Sequence, residues 1–163
     1  MVERPPEGWG ERVPIVTGRA WAFGIGVTAD LIIPADRRGT TDPGRWLMTP
    51  VDPSFPGRVR RGDIVVGGAD FAAGTTEDTP VRALLDAGVA AVVAASYDPR
   101  FAAFAEALGL LAVEVHEALA IHTGERLRVD LEGARVVNMS SGDRYPVRNT
   151  SEALLERFRA RQG

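Results

Sequence analysis

Thr75, Thr76, Glu77 and Asp78 set two hydroxyls beside two carboxylates in four consecutive positions. A hydroxyl in such a setting can be made reactive, and a carboxylate can serve as general base or hold a cation. The group follows the apolar run Ile64-Val65-Val66 and glycines 67, 68 and 74, and it precedes Thr79-Pro80, a helix-start signature. A loop between a buried strand and a helix is a common place for chemistry, because the scaffold aims side chains that stay accessible. A structural reading stands beside the chemical one. Threonines ahead of a helix bond to loop backbone, and acids in its first turn complement the helix dipole.

Further candidates lie upstream. Arg37 and Arg38 could clamp an anion from a long loop or be plain surface, and Asp30 could orient a site hydroxyl or cap the Gly24–Gly26 turn. His116 and His122 stand six apart, which matches no common metal spacing, and no metal site is expected. The 163 residues include no cysteine and no lysine. Thiolate chemistry, disulfides and lysine Schiff bases are therefore excluded for this chain. The net charge is -3 and no basic stripe stands out along the sequence, so no nucleic-acid partner is expected. With no membrane-length apolar run and no signal-like start, the expectation is a soluble cytoplasmic protein.

The elements that must position these residues follow from pattern. Residues 1–14 read as a flexible lead-in and 15–163 as one domain. Residues 15–17 and 20–23 read as strand, Leu31-Ile32-Ile33 as a buried strand ended by Pro34, and 35–62 as an irregular connection rich in Gly, Pro, Asp and Arg. Strand 63–67 leads to the loop; Thr79 is the expected N-cap of a helix over 80–87 that Gly88 stops. Strand 89–95, helix 99–108 ended by Gly109, and strand 110–115 follow. Short strands at 127–131, 135–139 and 144–147 are joined by hairpin turns at Glu132-Gly133 and Ser141-Gly142-Asp143. A final helix over 150–161 is expected, with Asn149 and Glu152 as capping box and Leu154, Leu155 and Phe158 as its buried stripe. The sum is an α/β domain with a mixed sheet or barrel and flanking helices.

In this order and spacing the landmarks resemble the small subunit of 3-isopropylmalate dehydratase, the swivelling β/β/α domain of the aconitase superfamily. Gly18-Arg19-Ala20-Trp21, Asp30-Leu31-Ile32-Ile33-Pro34-Ala35, Thr40-Thr41-Asp42-Pro43 and Arg61-Gly62-Asp63-Ile64-Val65-Val66-Gly67-Gly68 carry the likeness, with Ala87–Val93 and Leu108-Gly109-Leu110 after them. The resemblance implies a hydro-lyase (dehydratase or isomerase) subunit acting on a small hydroxy acid. Its partner would be a large subunit carrying a 4Fe-4S cluster, with no cofactor in this chain.

The family loop, Asn-Phe/Tyr-Gly-x-Gly-Ser-Ser-Arg-Glu-His-Ala, has a serine base and an arginine that clamps substrate carboxylate. Here it reads Asp70-Phe71-Ala72-Ala73-Gly74-Thr75-Thr76-Glu77-Asp78-Thr79-Pro80. By that resemblance Thr75 and Thr76 are the catalytic candidates, and Asp30, Arg37, Glu77 and Asp78 would face substrate. Glu77 reverses the clamp's charge. Like charges at roughly 4 Å and an effective dielectric near 20 cost on the order of 4 kcal/mol, so isopropylmalate is not the expected substrate. The competing expectation is a catalytically inactive swivel domain that acts as a binding or assembly subunit.

Overall fold

The computed structural model describes residues 15–150 and 155–156. Among these residues seven strands form one sheet: β1 (Val16–Ala22), β2 (Ile64–Gly67), β3 (Ala91–Ala94), β4 (Leu111–Glu114), β5 (Arg126–Asp130), β6 (Arg135–Asn138) and β7 (Arg144–Pro146), in the order β4-β3-β2-β1-β5-β6-β7. β1 to β4 are mutually parallel, and β5, β6 and β7 continue antiparallel from β1. The mixed sheet with flanking helices is thus the fold expected. β2 and β3 are apolar throughout because both faces are covered, as parallel strands require.

Two cores result. Trp21, Val65 and Val92 pack on one side of the sheet beneath Leu84 and Phe101 of helices α3 (Thr79–Asp86) and α4 (Pro99–Leu108). Ala20, Val66, Val93, Leu127, Val136 and Tyr145 form the second, on the opposite side. The chain beyond β7 returns to the free edge of β4. The Arg148 N–H donates to the Glu114 carbonyl at 2.8 Å, the Asn149 Oδ1 accepts the Glu114 N–H at 2.9 Å, and the Asn149 amide donates to the Ala112 carbonyl at 3.0 Å. An exposed edge invites pairing with another chain, and this contact covers it.

Several expectations change. Leu31-Ile32-Ile33 is not a strand. α1 (Ala29–Ile32) forms there instead, the Thr28 hydroxyl accepting the Leu31 N–H at 3.4 Å, and only Ile33 is extended ahead of Pro34. Three apolar residues carry no period, and the cap decided the outcome.

The connection over 35–62 is more ordered than its composition implies. It contains 3₁₀ turns at Ala35–Arg37 and Pro43–Trp46 and a short helix, α2 (Phe55–Arg58), and it buries Leu47, Met48 and Phe55. It is fastened to α3 by the Gly44 N–H, 2.9 Å from an Asp86 carboxylate oxygen.

The Asn149 side chain bonds to β4; Glu152, Leu154 and Phe158, and with them the expected capping box, lie outside the described residues, and Leu155 packs against the second core. Helix α4 starts on Pro99 and ends at Gly109 (φ 85°) as expected, with Asp98 accepting the Arg100 N–H at 2.8 Å.

Tyr97 ties β3 to β4. Its hydroxyl lies 2.6 Å from the Val113 carbonyl and 3.0 Å from that of Val92. Burial pushes this phenol well above its usual value of 10.0. The folded chain therefore keeps the proton where the unfolded chain loses it, so stability falls as pH rises above about 10. Tyr97→Phe is expected to flatten that alkaline limb, read as urea midpoints at about pH 8 and about pH 11. A midpoint that drops equally in both proteins would show that Tyr97 has no part in it.

Candidate functional site

Three loops at the carboxyl ends of parallel strands meet at one place, where open α/β sheets characteristically bind ligands. The loop after β2 (68–78) lies between the loop after β1 and the loop after β3. On one side the Ala72 N–H donates to Val27, the Ala29 N–H donates to Ala73, and Thr28 and Ala73 form a parallel bridge. On the other the Phe71 N–H donates to Ser96, the Asp98 N–H donates to Phe71, the Ser96 hydroxyl accepts the Asp70 N–H at 2.8 Å and Asp98 accepts the Gly74 N–H at 3.1 Å. Asp70 (φ 54°) and Ala72 (φ 64°) are held in the left-handed region without being glycine. This wiring fixes the loop's course before any side chain is considered.

Thr75 is fully buried, and its hydroxyl donates to the Ala72 carbonyl at 2.6 Å. Thr76 and Glu77 are exposed and Asp78 is half-buried. Asp78 rather than Thr79 occupies the N-cap of α3, and it makes no cap hydrogen bond. Its carboxylate reaches forward to the Arg82 Nε at 2.9 Å, while the Thr79 hydroxyl donates to Glu77 at 3.1 Å. The side chain expected to cap the helix is thus spent on its neighbour.

Arg37 and Arg38 diverge. The Arg37 guanidinium lies over the Trp46 ring, 4.0 Å from its centroid, and does not join the acids. Arg38 does. Its Nη2 bonds to the Asp30 carboxylate, and its Nε lies 3.9 Å from Glu77 Oε1. That Nε is shielded from solvent and has no hydrogen-bond acceptor among the described residues. Asp30, placed next to the threonine-capped start of α1, and Glu77, from the β2 loop, therefore share one cation. Arg38 also lines a cleft of about 600 Å³ together with Thr40, Asp78, Thr79, Arg82 and Leu108. At its rim the Thr40 hydroxyl, 2.8 Å away, holds the Asp42 carboxyl below its ordinary range.

The sequence offers Arg37 and Arg38 alike as anion clamps, with Arg37 alone in the expected substrate-facing set, and it is Arg38 that the fold brings to the acids. The available signal was the pair of opposite charges, Asp30 and Arg38, flanking a Pro34-initiated turn. Among the described residues no cluster of three His, Asp or Glu could hold a metal ion, and no helix is long and apolar enough to cross a membrane.

Curated 3-isopropylmalate dehydratase small subunits align over most of the chain. That of Moorella thermoacetica is 41% identical over 137 residues, 82% of each chain. That of Nautilia profundicola is 37% identical over 145 residues, 87% of each. The chain belongs to the 3-isopropylmalate dehydratase small-subunit family. No family profile matches it. A solved 3-isopropylmalate dehydratase chain from Methanocaldococcus jannaschii superimposes with a TM-score of 0.82 at 26% identity, covering 91% of this chain and 95% of that one. The swivel-domain architecture expected from the resemblance is the one observed. Glu77, at the position where the resemblance implies an arginine, is ion-paired to Arg38.

Proposed function

We propose that this chain is the small subunit of a cytoplasmic hydro-lyase that, with a large iron–sulfur subunit, adds and removes water on a hydroxy acid other than isopropylmalate. Family membership supports the reaction class. The observation that carries the substrate part is the acid–arginine–acid group Asp30–Arg38–Glu77: the clamp position holds a carboxylate, and the nearby guanidinium is already shared between two acids. A substrate carboxylate arriving there must compete with Asp30 and Glu77 for the one guanidinium, and a dicarboxylate finds no cation in that group for its second charge.

In this reading a 4Fe-4S cluster on the partner supplies Lewis-acid chemistry to the substrate hydroxyl. This chain, without cysteine, offers none of the thiolates that hold such a cluster. Its own contribution is the loop. Thr76 presents an exposed hydroxyl for proton transfer, and Thr75 would serve only after releasing its bond to Ala72. Arg38 orients one carboxylate, and Asp30, Glu77 and Asp78 set the charge of the pocket. Arg37, held on Trp46, takes no direct part.

The committed state of the Thr75 hydroxyl favours one second reading, a non-catalytic binding or assembly subunit. Reconstitution with a cluster-bearing large subunit from the same cell separates the two. The expected result is iron-dependent water elimination from a hydroxy acid, with kcat/KM for isopropylmalate at least about tenfold lower. Glu77→Arg is expected to recover about tenfold of that deficit. Isopropylmalate as the best substrate would refute the specificity. An intact complex inert on every 2-hydroxy acid would establish the assembly role.

A further inference from the structure

The helical layer stops at β1. The core beneath α3 and α4 contains no residue of β5, β6 or β7, so among the described residues no helix packs on the same face of those three strands. Strand register decides what lies there, because directly paired residues share a face. Arg19 stands opposite Arg126; Thr17, Arg128, Val137 and Arg144 form one cross-strand row; Asp130 stands opposite Arg135. Arginines from four strands thus converge on a single face of a chain whose net charge is -3.

The one carboxylate among them is spoken for. Asp130 lies 3.4 Å from the Arg135 Nε and accepts the Gly133 N–H at 2.9 Å. Arg19 rests on the Trp21 ring, 4.5 Å from its centroid. Among the described residues, Arg126, Arg128 and Arg144 have no carboxylate partner. Arg128 and Arg144 flank Val137, and these three line a groove of about 410 Å³ with Arg135 and the half-exposed Met139. Like charges directly opposite each other, as at Arg19 and Arg126, weaken a sheet. An anionic cover would remove that cost.

The cover's chemistry follows from the groove. Guanidinium forks on either side of an apolar floor suit carboxylates spaced along a protein segment, and Arg and Met are enriched in protein–protein contacts. A single-stranded nucleic acid would want stacking aromatics, and the Tyr145 of β7 points to the opposite, buried side.

We infer that this arginine face docks an acidic segment of the large subunit, away from the loop cluster that holds the reacting groups. The inference rests on the proposed two-subunit enzyme. The test is the dissociation constant between full-length small subunit and large subunit, by calorimetry at low and at physiological salt. The double variant Arg128→Glu/Arg144→Glu is expected to weaken binding by about 100-fold at low salt and to flatten the salt dependence. Arg61→Ala, exposed at the opposite end of β2 from the loop cluster, is expected to leave affinity unchanged, and an unaltered thermal melt confirms the fold of each variant.

Wild-type binding that the charge reversal does not change overturns the inference and spares the two-subunit reading. No binding by wild type overturns both. If instead the double variant loses self-association in sedimentation, or loses binding to a duplex DNA probe, while large-subunit affinity holds, the face belongs to a second copy or to nucleic acid, and the inference fails.

Discussion

Phe71→Ala is expected to cost about 3–5 kcal/mol of stability and to unseat the site loop in the same event. The ring is 1% exposed, although it belongs to a loop. Its centroid lies 5.5 Å from that of Phe101 and 6.0 Å from that of Tyr97, both edge-on, and those two rings stack on each other. It also lies against the β2 terminus: a Cβ built on Gly67 would come within 2.5 Å of the Phe71 ring. The residues on either side, Asp70 and Ala72, occupy left-handed backbone, a conformation that costs a non-glycine residue about 1–2 kcal/mol. Burial of the ring offsets that cost. Without it the loop has less reason to keep the turn that delivers Thr75 and Thr76. Chemical denaturation measures the loss, and amide exchange at residues 72–75 reads the loop separately. Phe71→Leu, which keeps much of the apolar volume, is expected to lose less than half as much. A Phe71→Ala protein of unchanged stability would show that the backbone bonds to Val27, Ser96 and Ala29 hold the loop unaided.

What was legible in the sequence was what local chemistry decides. Pro99 and Gly109 bound α4 because one has no N–H to donate to an earlier carbonyl and the other tolerates φ 85°. The hairpin strands and the apolar β2 and β3 announced themselves by turn residues and composition. What stayed hidden depends on neighbours distant in sequence. Arg37 and Arg38 are the same residue type in the same turn; only Trp46 on one side and Asp30 with Glu77 on the other tell them apart. Thr75 and Thr76 differ likewise, one turned inward to a carbonyl and one outward. The arginine face was invisible for a related reason. Its members are scattered from Arg19 to Arg144, so no stripe appears along the chain, and pairing across β1, β5, β6 and β7 assembles it.

Arg38→Ala is expected to lower kcat/KM of the reconstituted enzyme by about 100-fold or more while changing unfolding free energy by less than about 1 kcal/mol. The asymmetry follows from exposure. Asp30 and Glu77 have side chains 68% and 49% exposed, so water solvates them when their cation is removed. A substrate carboxylate enclosed between two subunits has no such recourse. Arg38→Lys is expected to recover little of the loss, because a point charge cannot serve Asp30 through Nη2 and present a second edge of a planar fork to the substrate. Glu77→Gln provides the opposite arm. It removes a competitor for the same guanidinium, so KM should fall while stability holds. If Arg38→Ala instead melts the domain and leaves the surviving fraction fully active, the acid–arginine–acid group is a structural tie between the β1 and β2 loops. Specificity would then have to reside in Arg82 and the threonines of the adjoining cleft.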